Sequence, residues 1–418
     1  MINTRNARIA LLALALPTLA PSGSHAQDPD WPQWLGPQRN GISTETGLFG
    51  ARPTLEEVWR VEGGAGFSAL SVTDGKLYTM YARGESEYAV CLDAASGAEL
   101  WATRTGGRFA DSMGGPGPRS TPTVAGGTVY AASAESAIYA LDAATGAVVW
   151  SVDLTAELGS KRTNRHDWGY AASPLVEDGR VLVEAGGRDN RALAAFSADT
   201  GKLLWSAGND EPGYSSPIAA TIGGRRQAVF FTGYNLLAVA PDRGTVLWQH
   251  RWRTDYDANT ATPVFIPPNR LFISSDYGTG GSVVEITGTS GSFAAREVWR
   301  NRKMKNHMAT SIYYEDHLYG FDSSILKCLD AKTGEDRWKT RGYHKGTLII
   351  ADGHLVVLGE RGNLAIAAAT PAGFTAKAEA QVFKSRCWTA PSIAAGRIYV
   401  RDESEIVCLN ITPGAGLR

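Results

Sequence analysis

Side chains able to bind a small molecule stand just ahead of a phrase that this chain repeats. They are Phe67, Arg119, Trp168 with Tyr170, Tyr214, Asn259, Asn306 with His307, Lys345, and Arg386 with Trp388. Guanidinium and ammonium groups pair with carboxylates, and aromatic faces stack on flat rings or pyranoses. An anionic or sugar-like ligand is the class these residue types suit. The competing reading is a polar lining that bonds only to itself and to channel water. Two stretches add positive charge: Lys161, Arg162 and Arg165 in one, Arg302, Lys303 and Lys305 in the other. His166-Asp167 and His307 are suited to proton transfer, but their spacing defines no catalytic set, and no catalytic residue is assigned. The sequence has no Gly-x-Ser-x-Gly elbow, no His-Glu-x-x-His pair and no spaced Cys/His cluster, so no metal site is expected. Gly278-Thr279-Gly280-Gly281 has no following helix and does not read as a phosphate-binding loop.

The elements that position these residues must repeat as they do. Trp59, Trp101, Trp150, Trp205, Trp248, Trp299 and Trp338 recur at intervals of about 39 to 55 residues, and Phe383 takes the next place. Between aromatics the same units return. One runs Ser120-Thr121-Pro122-Thr123-Val124, Gly127-Thr128-Val129-Tyr130, Ile138-Tyr139-Ala140-Leu141-Asp142, then Ala143-Ala144-Thr145-Gly146 and Val148-Val149-Trp150. These are four short strands, A to D, separated by Gly or Asp turns, which make one propeller blade. Strand A starts fall at Ala69, Thr121, Ser173, Ser216, Thr262, Thr310, Thr347 and Ala390. The expected fold is all-β: an eight-bladed propeller of four-stranded antiparallel blades, with seven blades the nearest competitor. The eighth unit lacks its closing strand, which 55–61 can supply. Pairing of the N- and C-terminal strands then closes the ring and removes an edge.

In such a blade the loops before strand A share a face with the B–C loops, and the A–B and C–D turns occupy the other. The candidate residues therefore ring one mouth of the central channel. The Gly-rich 114–118 and 278–281 stretches fall on that face, while acidic turns around Asp93, Asp142, Asp199 and Asp330 fall opposite. A positive channel mouth on a dipolar disc is expected.

Composition agrees with a β protein and excludes other classes. Among 418 residues are 47 Gly and 12 Trp, with 41 Lys+Arg against 42 Asp+Glu. That balance argues against a nucleic-acid partner. Residues 1–26 read as a signal peptide: Arg5 and Arg8, then apolar 9–16, Pro17, and Ser24-His25-Ala26 as a cleavage signal. An exported protein, periplasmic or extracellular, follows, with no membrane span and a monomeric state expected. Residues 27–52 form a leader expected to pack on the propeller, 53–411 the propeller, and 412–418 a tail. Cys91, Cys328 and Cys408 each precede Leu at one repeated position. Buried thiols are expected there, with disulfide pairing the alternative.

The Ala-Leu-Asp-Ala-x-Thr-Gly-x-x-x-Trp pattern, seen at 91–101, 140–150, 195–205 and 328–338, resembles the repeat of the PQQ-like (pyrroloquinoline-quinone-type) propeller superfamily. The opening Trp31-Pro32-Gln33-Trp34-Leu35-Gly36-Pro37-Gln38-Arg39-Asn40-Gly41 is similar to the leader of secreted bacterial propellers in that group. The superfamily holds quinoprotein dehydrogenases and the BamB lipoproteins of outer-membrane assembly. The resemblance implies the fold; it implies activity only weakly. Quinoprotein enzymes carry adjacent cysteines over the cofactor, and this chain has none. Asp167 and Asn259 could mimic part of their Ca²⁺ site, without the surrounding motifs. The expectation is a ligand- or protein-binding scaffold, with an anionic or sugar-like ligand or an envelope protein as partner. A PQQ- and Ca²⁺-dependent oxidoreductase, or another sugar-active enzyme, is the alternative.

Overall fold

A computed structural model describes residues 1, 30–50, 53–160, 168–289 and 292–411. Residues 2–29, which hold most of the predicted signal peptide, the basic insertion with Lys161, Arg162, Arg165, His166 and Asp167, and the tail 412–418 lie outside the described residues.

Eight four-stranded antiparallel sheets are present. Seven are continuous, spanning 71–107, 123–153, 175–207, 218–251, 264–301, 312–340 and 347–381 as blades 1 to 7. The eighth joins Ser392–Ala394, Arg397–Arg401 and Glu405–Asn410 to Glu56–Glu62 from the other end of the chain. This pairing, from Glu56↔Asn410 to Glu62↔Glu405, closes the ring and covers two edges at once. The one helix among the described residues, Leu154–Leu158, is a short link after blade 2, capped by Asp153.

Two repeated contacts hold neighbouring blades in register. Near the axis, a hydroxyl at the start of strand A accepts the backbone N–H of the same position in the preceding blade. Ala69 donates to Thr121, Thr121 to Ser173 and Ser173 to Ser216 at 2.9 Å, and Thr262 to Thr310 at 3.0 Å. The Ser/Thr at the predicted strand starts thus satisfies an inner-strand donor that no fifth strand is there to accept.

At the periphery, the strand D indole reaches the C–D turn of the next blade. Trp59 donates to Ala94 O, Trp101 to Ala143 O, Trp150 to Ala198 O, Trp205 to Pro241 O, Trp299 to Ala331 O and Trp338 to Thr370 O, at 2.8–3.2 Å. The turn glycine lies flat on the ring. A Cβ on Gly146 would sit 2.6 Å from Trp101, and its φ of +74° is one that a side chain disfavours. The pattern breaks at the junction of blades 4 and 5. Trp248 donates to Gln227 instead, because blade 5 closes with longer strands, Gly280–Thr289 and Ser292–Asn301.

Phe383 is not the eighth member of the series. Register pairs Trp101 with Cys91 and Trp338 with Cys328, and the matching place in blade 7 is Ala378, opposite Ile366. Blade 8 is formed from both chain ends and has no C–D turn, so an indole there would have nothing to dock on. Phe383 instead joins the core at 1% exposure.

The cysteines follow the same register. Tyr78–Cys91–Trp101, Tyr319–Cys328–Trp338 and Tyr399–Cys408–Trp59 form rows across strands B, C and D. All four thiols are free and buried, which answers the disulfide alternative. Burial pushes Cys91 and Cys408 up to about 11 and Cys328 to about 12, holding them as neutral, unreactive thiols.

The leader lies across the channel. Trp31, 2% exposed, pairs antiparallel with Val72 in blade 1. Pro32 O accepts Val124 N in blade 2, and Ile42 bridges Ile350 in blade 7. Arg39 is buried with no carboxylate partner among the described residues. Its guanidinium donates to Ser173 O at 2.9 Å, Pro174 O at 2.7 Å and Gln33 Oε1 at 3.2 Å, and desolvation lowers it to about 9. Glu45 accepts Gly396 N, and Asp352 accepts Leu48 N, both at A–B turns. The leader therefore reaches the axis from the face opposite the predicted mouth.

Gly146→Ala should lower stability more than Gly127→Ala. Both glycines have positive φ, but a Cβ on Gly127 meets nothing within 4 Å. A gap of about 1–3 kcal/mol in urea unfolding isolates the contact with Trp101; equal losses would show that the indole yields freely.

Candidate functional site

A cavity of about 320 Å³ opens at the mouth formed by the loops before strands A and the B–C loops. Its wall includes Phe67, Arg119, Trp168, Tyr214, His307, Lys345 and Trp388 from the predicted ring. Each comes from a different D–A link, so the ring closure, and no local motif, brings them together. Trp34 of the leader forms the floor, its indole N–H fixed to Thr262 Oγ1 at 2.9 Å. Tyr277, from the B–C loop of blade 5, completes the aromatic lining. The rings support one another in pairs: Phe67 with Trp388 at 5.3 Å between centroids, and Trp168 with Tyr214 at 5.6 Å.

Four predicted residues stand elsewhere. Asn259 and Asn306 are buried behind the wall as braces. Asn259 donates to Thr232 O and accepts from Ser275, and Asn306 donates to Phe321 O and accepts from Ser311. Tyr170 is 5% exposed and packs in the core between blades 2 and 3. Arg386 backs the wall, with its guanidinium 4.0 Å from the Trp388 ring and 5.2 Å from that of Phe67. Residues preceding a strand alternate in direction, and sequence position alone does not say which side chain meets the axis.

Four of the predicted mouth cations are engaged in ion pairs. Arg119 forms an ion pair with Asp111, donates to Gly115 O and Gly117 O, and covers the Phe109 ring at 4.7 Å. Asp111 is itself held by the N–H groups of Met113 and Gly114 at 2.8 and 2.6 Å. Arg386 pairs with Glu403, Lys305 with Asp322, and Lys303 with Glu335. Among the described residues, these four cations are each met by a carboxylate 8 to 32 positions away in the chain. Glu360 and Glu403 lie in B–C loops, as does Tyr277, and the rule that placed B–C loops on this face is the signal that could have found all three.

One group of polar side chains lines the cavity without a carboxylate partner among the described residues. Lys345 Nζ lies 3.3 Å from His307 Nδ1, and His307 Nε2 lies 3.3 Å from the Tyr277 hydroxyl. Glu360 stands behind them, accepting Trp388 Nε1 at 2.9 Å and Lys345 N at 3.3 Å. Burial first, and then the Lys345 ammonium, hold the His307 imidazole below its ordinary 6.5. A neutral imidazole accepts from Lys345 at Nδ1 and carries its proton at Nε2, toward Tyr277. The Tyr277 hydroxyl is then free to donate into the cavity.

The PQQ-repeat family described as outer membrane protein assembly factor BamB matches this chain over residues 51–157 and 85–340. The chain belongs to that family. A relative named outer membrane protein assembly factor BamB, from Shewanella oneidensis, is 24% identical over 336 residues, covering 74% of this chain and 77% of that protein. The dehydrogenase subunit of a quinone alcohol dehydrogenase from Gluconacetobacter polyoxogenes is 34% identical over 142 residues. That match spans 32% of this chain and only 18% of the enzyme. Among solved structures, BamB from Moraxella catarrhalis superimposes with TM-score 0.60 at 15% identity, covering 86% of this chain and 100% of that one. Quinohemoprotein alcohol dehydrogenase from Comamonas testosteroni gives 0.63 at 13% identity, covering 94% and 83%. Both likenesses are of fold. No helix among the described residues is long and apolar enough to cross a membrane.

Replacing Lys345 with Met should raise the His307 pKa toward 6.5, as read by NMR titration of the imidazole. The depressed folded value means that the unfolded chain takes up this proton first. The contribution of His307 to stability is therefore complete above about pH 6.5 and is lost as pH falls toward the folded value. An unchanged titration in Lys345→Met would remove the lysine from this account.

Proposed function

We propose that this propeller is a binding protein that takes a flat or pyranose ring into the cavity between Trp34 and the channel mouth. One observation carries the reading: six aromatic side chains from separate loops and the leader converge on a single cavity closed at its base by Trp34. Exposing such a concentration of aromatic surface is unfavourable unless something covers it, and ligand cavities are built this way, with a few placed polar groups. Here those groups are the Tyr277 hydroxyl, the Lys345 ammonium, the Arg119–Asp111 pair and Thr260. The names of the assembly-factor relatives support an envelope setting and an envelope protein as partner, with the propeller's loops presenting the bound ring or the partner surface.

The quinoprotein reading has less support in the residues present. The aromatic walls suit a flat quinone. Asn259, the amide considered for Ca²⁺, is committed to Thr232 and Ser275, and Asp167 lies outside the described residues. Among the described residues no three His, Cys, Asp or Glu side chains gather to hold a cation. Arg119 is already neutralised by Asp111. The described donors of the aromatic cavity give Ca²⁺ little to bind, and no redox step is assigned to these residues.

Calorimetric titration with para-nitrophenyl β-glucoside tests the binding reading. Trp388→Ala and Trp34→Ala should each weaken binding by about tenfold or more, equivalent to about 1.4 kcal/mol. Circular dichroism and the unfolding midpoint should show that the variants remain folded. Unaltered affinity in both variants would sink the proposal.

A further inference from the structure

Beside the aromatic cavity on the same face lies a second depression, of about 490 Å³, with opposite chemistry. It is lined by Arg253, Arg300 and Arg302 together with Thr254, Thr279 and Asp255. Tyr277 belongs to both walls, so the two spaces are neighbours across one phenol ring. That ring is held in place by Tyr256, at 4.6 Å between centroids, on one side, and by His307, edge-on at 5.5 Å, on the other.

The guanidinium groups of the basin are oriented before any ligand arrives. Arg253 lies 3.9 Å above the Tyr234 ring and pairs with Asp257 at 3.0 Å. Arg300 lies 4.2 Å above the ring of Trp252, which is 1% exposed and bonded to Ser275. A guanidinium laid on an aromatic face keeps its in-plane N–H donors available. Unlike Arg119 and Arg386, Arg300 and Arg302 form no ion pair among the described residues, and both are exposed.

We infer that this basin is an anion subsite. The ligand that fits both compartments is a ring-bearing molecule carrying a carboxylate or phosphate, its ring in the aromatic cavity and its anionic group against Arg300 and Arg302. A planar guanidinium matches both anions in two-pronged geometry. Tyr277 and the neutral His307 lie at the boundary, where a hydroxyl donor can hold the link between ring and anion. This inference rests on the cavity reading above and adds to it the charge of the ligand.

The experiment compares three probes that share one ring: para-nitrophenyl β-glucoside, para-nitrophenyl β-glucuronide and para-nitrophenyl phosphate. Each is titrated by calorimetry at low ionic strength, where charge pairing is least screened. The expected result is that the glucuronide or the phosphate binds at least about tenfold more tightly than the neutral glucoside. Which of them does so separates the acidic-sugar source of the anion from the phosphate source. The double variant Arg300→Gln/Arg302→Gln should abolish that preference and leave glucoside affinity unchanged, with Trp388→Ala weakening all three. Equal affinity for neutral and anionic probes, or a preference that survives the double variant, overturns the anion subsite while leaving the aromatic cavity intact. Failure of all three probes to bind overturns the cavity reading and this inference together.

Discussion

The contact on which the rest of this structure depends is the docking of six outer-strand indoles against the C–D turn of the next blade. A blade alone is a small sheet with two apolar faces and cannot bury either one by itself. Trp101, Trp150 and their equivalents link the blades by packing under a glycine and donating to a turn carbonyl, which fixes distance and rotation together. The hydroxyl ring at the starts of strand A performs the same task near the axis. With both radii fixed, the D–A links are set at constant angles around the channel, and their side chains are delivered to one mouth.

That geometry explains why the cavity is assembled from loops yet well positioned. Its aromatic residues come one or two at a time from separate blades, each anchored by an inner strand. The leader contributes what the ring cannot make for itself, a floor. An eight-bladed ring leaves an open axis, and Trp31, Trp34 and Arg39 fill it from the opposite face, bonding inner-strand and loop groups that would otherwise face channel water. Burying Arg39 with no carboxylate partner among the described residues is tolerable because two carbonyls and an amide oxygen replace much of its hydration.

Electrostatics at the mouth follow a division of labour. Arg119 and Arg386 are structural cations that stiffen the aromatic wall through ion pairs and ring contacts. Lys345 and His307 face the cavity in a chain ending at Tyr277. Family membership is compatible with several uses of such a face, because the propeller supplies positions and the loops supply chemistry.

The sequence by itself determined the architecture. Tryptophans, turn glycines and strand-start hydroxyls are each required locally, so the repeat that carries them is readable without coordinates. It also placed seven of the cavity's side chains on the correct face, since loop order within a blade is invariant. Only the tertiary structure decided which of those side chains turn inward, as the burial of Asn259, Asn306 and Tyr170 shows. It alone showed that Ala378, not Phe383, holds the blade 7 position, because that depends on a turn that blade 8 lacks. And it alone joined Asp111 to Arg119, Glu403 to Arg386 and Trp34 to the cavity floor. The first two pairings lie within one link or one blade, but they depend on how the loops fold back. The third joins segments 228 residues apart, whose approach is set by how the blades close around the axis.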